Sequence, residues 1–294
     1  MPEIFQSIAY ALPLVYIFEE TRNILVNQSV DYKNIIHHQW KELLINKTTL
    51  NLIYNLNSPC FSLFGNWFLI INSNKNLFDN TVIFDMDGLL IDSEPLWNQA
   101  ANEVFKQYGV SLSEEQYKTT TGLRTKEFVQ WWFRQFNLGD AELANAEKKI
   151  VHLVLKKVKE SGTMMPGVHH IINFFQQKGF KIGLATSSPI ELIDLVVERC
   201  GIQQYIQVKT SAEHLPFGKP HPQVYLNCAE ALGSNVHECI CFEDSFNGLI
   251  AAKSARMRCV VVPHHSQIKD ERWGAADLKL SSLQNFGELH FGLL

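Results

Sequence analysis

The stretch Thr81-Val-Ile-Phe-Asp-Met-Asp-Gly-Leu-Leu-Ile-Asp-Ser-Glu94 constrains this chain more than any other. Thr81 to Phe84 is a β-branched and aromatic run with the composition of a buried strand. Asp85 and Asp87 follow, then Gly88, which can bend the chain where a side chain would strain it. A strand that runs into two carboxylates and a glycine, ahead of a helix signal, puts those carboxylates at the carboxyl edge of a sheet. In open α/β sheets that edge is where ligands bind. The plainer reading is an Asp-rich strand-to-helix turn, and the pattern downstream weighs against it.

Asp92, Ser93 or Glu94 can open a helix, with Pro95 at an early helical position. Leu96, Ala100, Val104, Phe105 and Tyr108 keep helical spacing, and Gly109 ends the run. A second helix is expected from Ser113 toward Gly122, a third from Thr125 to Phe136, and a fourth from Ala141 to Ser161. The fourth carries Val151, Val154, Leu155 and Val158 on one side. Met165-Pro166-Gly167 closes this strandless module. The period then changes. Strand runs at Lys181 to Ala185, Ile206 to Thr210, Glu238 to Phe242 and Arg258 to Val262 alternate with helices at Val168 to Lys178, Ile190 to Cys200, Pro222 to Leu232 and Phe246 to Ala255.

That alternation implies an α/β fold, a Rossmann-like parallel sheet with right-handed crossovers. An all-helical module is inserted after the first strand. The expected division is residues 81–92 and 164–294 for the α/β core, 93–163 for the helical insertion, and 1–80 for an N-terminal extension of unknown role. The extension is rich in Asn and Ile, and its apolar residues hold neither helical nor strand period for long. It reads as an accessory domain, a membrane-associating arm, or a poorly ordered extension from a start placed too far upstream. The last is preferred, although no methionine lies between Met1 and Met86.

The composition narrows the function classes. A net charge of −4 with no basic block offers nothing for nucleic acid. No stretch reaches the roughly 18 apolar residues of a membrane span, and neither Ile8 to Phe18 nor Phe61 to Ile71 makes a signal peptide. Six cysteines without a C-x-x-C pair lie mostly in apolar runs and read as reduced core residues. The expectation is a cytoplasmic monomer that binds neither membrane nor nucleic acid.

Three later segments present polar groups at strand ends. Thr186-Ser187-Ser188 precedes a helix, so hydroxyls and free N–H groups converge where the dipole favours an anion, although the same residues also make an ordinary cap. Lys219 lies in the stiff loop Phe217-Gly-Lys-Pro-His-Pro222, and by itself is a loop lysine. Glu243-Asp244 follows the apolar run Cys239-Ile-Cys-Phe242. Adjacent carboxylates need a cation or solvent to offset their repulsion. With Asp85 and Asp87 they supply the hard oxygens that Mg²⁺ prefers.

The order Asp85-Met-Asp87-Gly88, Thr186-Ser187, Lys219-Pro220, Glu243-Asp244 is far more specific than any one part. Over residues 81–290 the chain resembles the haloacid dehalogenase-like phosphohydrolases. The inserted helices resemble the cap of that family's sugar-phosphatase branch. Thr121-Gly-Leu-Arg124 and Glu243-Asp-Ser-Phe-Asn-Gly248 carry the likeness further. Thr186-Ser-Ser-Pro189 departs from the usual Ser-Ala-Ser-Pro but keeps the hydroxyl, and the extension has no counterpart.

The resemblance implies a Mg²⁺-dependent phosphatase of hexose and hexitol phosphates such as 2-deoxyglucose 6-phosphate. Asp85 would be the nucleophile and Asp87 the general acid and base. Asp85, the Asp87 carbonyl and Asp244 would hold the metal, with Glu243 beside them. Thr186, Ser187, Lys219, Arg124, Glu94 and Asn247 would bind substrate, Arg124 and Glu94 from the cap. Trp97 and Trp131 could stack on a sugar face, though aromatics at helical spacing are more often core. His221, His264 and His265 read as structural. The alternatives are a β-phosphoglucomutase-type phosphomutase and a catalytically idle protein that docks a partner.

Overall fold

The computed structural model describes residues 80–294, so the expectations for the N-terminal extension and for Cys60 lie outside the described residues apart from Asn80. Strand β1 (Thr81–Phe84) pairs in parallel with β2 (Lys181–Thr186) on one side and β4 (Cys239–Glu243) on the other. β3 (Val208–Ser211) flanks β2, β5 (Arg258–Val261) flanks β4, and the two-residue β6 (Leu278–Lys279) closes that edge. The order is β3-β2-β1-β4-β5-β6, all parallel. β1 is therefore the strand at which the chain's progression across the sheet reverses, and the ends of β1 and β4 open a crevice there. The parallel sheet and its flanking helices agree with the expected fold class, and β6 is an addition to it.

Both faces of the sheet are covered, as a parallel sheet requires. Val82, Phe84, Ile240, Phe242 and Val260 point to one face, where α5 (Val168–Gln177) and α6 (Ile190–Arg199) cover them. Ile83, Cys239, Cys241, Cys259 and Val261 point to the other, under α7 (Gln223–Ala231) and α8 (Phe246–Ser254). This is the strict two-residue alternation of a strand, and each such apolar side chain fully buried is worth roughly 1.5–3 kcal/mol. Phe84 stacks on Phe242 across the β1–β4 pair, centroids 5.1 Å apart, and Phe175 of α5 meets both rings edge-on. The five described cysteines are free thiols, all buried.

Between β1 and α5 the chain builds a helical unit: α1 (Glu94–Phe105), α2 (Glu114–Lys118), α3 (Thr125–Gln135) and α4 (Leu143–Ser161). Its core is Ala100, Val104 and Phe105 of α1, Phe128, Val129, Trp132 and Phe133 of α3, and Ala146, Ile150, Val154 and Val158 of α4. On α4 the buried row is an unbroken every-fourth-residue stripe, so Val151 and Leu155, expected at its centre, lie on its flank and are only half-buried. Ser113 caps α2 through a complete capping box with Gln116. The two chain segments joining this unit to the sheet pair with each other: Asp92 N donates to Thr163 O (2.8 Å) and Met165 N to Leu90 O (3.0 Å). A short helix α9 (Glu288–Phe291) ends the chain.

Candidate active site

Asp85 is the first residue after β1, and its N–H continues the ladder to Phe242 O at 2.9 Å. Its carboxylate therefore emerges at the sheet's carboxyl edge, beside Glu243 at the end of β4. Lys219 reaches the same point from the loop after β3. Its Nζ donates to Asp85 Oδ1 (2.6 Å), Glu243 Oε1 (2.6 Å) and Ala185 O (3.1 Å), which uses all three ammonium protons. The lysine is 2% exposed. Burial alone would lower its pKa, but the two carboxylates override that and hold it above the ordinary lysine range.

Glu243 is saturated. Tyr225 Oη joins Lys219 on Oε1, and the Ser245 N–H and hydroxyl bond Oε2 at 3.3 and 3.2 Å. Asp244 is different. Among the described residues none donates a hydrogen bond to its carboxylate, and burial together with the charges of Asp85, Glu243 and Glu94 raises its pKa well above the usual range. Asp85 is raised to about 7, chiefly by burial, with Lys219 opposing and the charges of Glu243 and Asp87 adding. Oxygen atoms of Asp85, Glu243 and Asp244 lie within 4.8 Å of one another. Five carboxylates (Asp85, Asp87, Glu94, Glu243, Asp244) thus gather around one ammonium. The donor set is hard oxygen, the charge is uncompensated and one carboxylate is unpaired. These residues fit a divalent cation of the Mg²⁺ type.

Asp87 is held by four hydroxyl or indole donors. Ser93 Oγ (2.6 Å) and Trp97 Nε1 (2.8 Å) bond Oδ1, and Ser188 Oγ (2.6 Å) and the more distant Thr186 Oγ1 (3.4 Å) face Oδ2. Two of these come from the start of α1 and two from the end of β2, so the carboxylate ties the helical insertion to the sheet. Ser93 stands at the N-cap of α1 but makes no cap bond, because its hydroxyl is committed to Asp87.

A cavity separates this edge from the inserted helices. It is lined by Asp85, Asp87, Thr186, Ser187, Lys219 and Asp244 from the sheet, and by Glu94, Trp97, Tyr117, Thr121, Phe128 and Ile150 from the insertion. Eight of the sequence-derived candidates therefore meet there: Asp85, Asp87, Glu94, Trp97, Thr186, Ser187, Lys219 and Asp244. Glu94 lies beside Tyr117 in the cavity lining, and its pKa is raised to about 8 by burial and by the charge of Asp87. Nothing in the sequence marked Tyr117, which sits on the short helix α2. Ser93 and Ser188 were visible only as a cap and part of a hydroxyl run, and Tyr225 only within the helix expected from Pro222 to Leu232.

Arg124 and Asn247 are not brought to the cavity, contrary to expectation, and Trp131 neither lines it nor packs in the core. The Arg124 guanidinium is turned into the seam between the insertion and the sheet, where it bonds three backbone carbonyls and Glu127. Asn247 Nδ2 donates to Thr121 O (3.0 Å) and holds the loop before α3. Trp131 is on the outward face of α3 and half exposed. His221, His264 and His265 are exposed and do not line the cavity.

Comparison with known proteins follows the same geometry. The family model of haloacid dehalogenase-like hydrolases matches residues 82–262. Hexitol phosphatase B of Escherichia coli K12 is 40% identical over 202 residues, 68% of this chain and 91% of that protein. The phosphorylated carbohydrates phosphatase of Thermotoga maritima is 33% identical over 186 residues, 63% of this chain and 85% of that one. Among solved structures, CbbY from Rhodobacter sphaeroides, crystallised with phosphate, matches with a TM-score of 0.66 at 25% identity, covering 73% of this chain and 99% of its own.

Proposed function

The chain belongs to the haloacid dehalogenase-like hydrolases, and from that premise we propose that it is a Mg²⁺-dependent phosphatase of hexose and hexitol phosphates working through an aspartyl-phosphate. One observation carries the reading: Asp85, paired with Lys219 at 2.6 Å, stands two residues from Asp87 on the floor of a cavity roofed by helices. Relatives that act on phosphorylated carbohydrates and hexitols supply the substrate class. The reading includes a cytoplasmic, monomeric enzyme.

Asp85 attacks phosphorus. The bond from its carboxylate oxygen to phosphorus forms as the ester oxygen leaves, and Asp87 gives that oxygen its proton. Asp87, now a carboxylate, takes a proton from water, whose oxygen displaces Asp85 and releases inorganic phosphate. Thr186, and Lys219 once it gives up its bond to Asp85, would face the phosphoryl oxygens. The Thr186 hydroxyl, 3.4 Å from Asp87, is the donor most easily given up to a ligand. Asp85, the Asp87 carbonyl and Asp244 would hold Mg²⁺, which when bound offsets phosphoryl charge. Glu243 fixes Lys219 and leaves the metal to its neighbours. Ser187 and Glu94 line the same cavity, and in this reading they bind substrate.

The test is phosphate release from hexose and hexitol phosphates with Mg²⁺, with a chelator, and with Asp85→Asn. Turnover lost in both controls supports the reading, and turnover that survives Asp85→Asn sinks it. Glucose 6-phosphate formed from β-glucose 1-phosphate would replace hydrolysis by the phosphomutase alternative.

A further inference from the structure

Arg124 is the N-cap residue of α3 in the helical insertion, yet every carbonyl it bonds belongs to the sheet domain. Nη1 donates to Ala212 O (3.0 Å) and Leu215 O (2.5 Å), and Nη2 to Glu127 Oε1 (2.5 Å) and Pro216 O (3.3 Å). The side chain is 8% exposed. Glu127, one helical turn on, accepts the Gly218 N–H at 3.1 Å through the same Oε1. Gly218 is the residue before Lys219. A Cβ on Gly218 would lie 2.6 Å from Glu127 Oε2 and 2.8 Å from Arg124 Cγ, so the loop and the pair are in direct contact.

These bonds form a continuous path: Arg124 to Glu127, Glu127 to the Gly218 amide, one peptide to Lys219, and Lys219 Nζ to Asp85. We infer that the Arg124–Glu127 pair is a closure latch that positions Lys219, so that the ammonium is aimed at Asp85 only while the helical insertion is seated on the sheet. The inference rests on the phosphatase reading for its kinetic consequence. Opening the insertion must break the three carbonyl bonds, since donor and acceptors lie on opposite sides of the seam. It also removes Glu127 from the Gly218 amide and frees the loop that carries Lys219. A lysine at position 124 would not replace the arginine, because a point ammonium cannot span three carbonyls and a carboxylate as a planar five-donor fork does. Glu127 is held in its charged form: burial alone would raise its pKa, and bonds from Arg124 and the Gly218 amide bring it below the usual range. Arg124 and Glu127 lie outside the cavity lining and are positioning residues.

The experiment pairs two readouts on Arg124→Ala, Arg124→Lys and Glu127→Gln in the full-length chain. Deuterium uptake at residues 212–219 rises in Arg124→Ala and Arg124→Lys, with β4 unchanged. In Mg²⁺, kcat and kcat/KM for a hexitol phosphate fall together by about 10²-fold in both arginine variants, the scale expected for roughly 1 Å of misplacement. Glu127→Gln, which keeps an acceptor for the amide, loses less. Combining Arg124→Ala with Lys219→Arg, which keeps a cation between Asp85 and Glu243, costs no more than Lys219→Arg alone, the mark of one residue acting through the other. A purely structural arginine would give additive losses and would overturn the latch, as would unchanged uptake or wild-type kcat in Arg124→Ala. A wild-type enzyme that releases no phosphate would overturn the phosphatase reading itself, while loop uptake still judges the contact.

Discussion

The Asp244 carboxylate lies directly over the α-carbon of Gly88: a Cβ built there would fall 2.1 Å from Asp244 Oδ2. Gly88 also has φ +72°, in the left-handed region that side chains avoid. The turn after β1 thus leaves space for a carboxylate from β4, and any side chain at position 88 displaces it. Gly88→Ala is expected to lower stability by about 1–3 kcal/mol through backbone strain. It should also weaken Mg²⁺ binding at least about tenfold, by moving a ligand. Chemical denaturation and a Mg²⁺ titration check the two separately, and unchanged metal affinity would remove Asp244 from the metal site.

Lys219→Met should unfold far more easily than wild type. It leaves Asp85 and Glu243 buried and facing each other without their shared cation, a change of the kind that costs about 3–5 kcal/mol. Urea denaturation at neutral pH measures it, and a loss under about 1 kcal/mol would mean that the ammonium is not the group holding these carboxylates together.

Removing metal should make stability fall as the solution becomes more alkaline. In the metal-free fold Asp85 is raised to about 7 and Glu94 to about 8, in both cases chiefly by burial. A carboxyl raised above its unfolded value stabilises the fold fully below that unfolded value. The contribution is lost as pH rises through the folded one. The Tm of chelator-treated protein should therefore decline from about pH 5, most steeply near pH 6 between the unfolded and folded values, and level off above about pH 8 to 9, and added Mg²⁺ should restore most at the alkaline end. A Tm that is flat with pH, or rises, contradicts the assigned burial of these acids.

Asp87→Asn should fold, because the amide keeps an acceptor for Ser93 and Trp97, and should slow hydrolysis of an alkyl phosphate by about 10²–10⁴-fold. With p-nitrophenyl phosphate the leaving group needs no proton, so the first step survives and phospho-Asp85 accumulates. Rapid mixing would register a burst of nitrophenolate equal to the enzyme present, and equal slowing of both substrates without a burst would deny Asp87 its role.

Much of this site was legible from residue order because its parts sit where strands end. The apolar runs before Asp85 and Glu243 predict β1 and β4, and adjacency in the sheet does the rest. Thr186 was legible for the same reason. Trp97 and Trp131 were not separable: both fall at helical spacing, and only the packing of α1 and α3 turns one indole onto Asp87 and the other to solvent. The two-residue β6 is too short to carry a periodic signal.

Sequence alone determined the alternating sheet, the helical insertion and the set of hard-oxygen residues, because strand period, helix period and side-chain chemistry are local properties. Tertiary structure decided which way each group faces across the seam. Arg124 looked like a substrate ligand from its neighbours in the chain, but its partners are carbonyls 88 to 92 residues away. Glu94 looked like a helix-start carboxylate, and burial beside Asp87 and Tyr117 makes it a group that titrates near 8. Long-range contacts and desolvation depend on where distant segments come to rest, which no local pattern encodes.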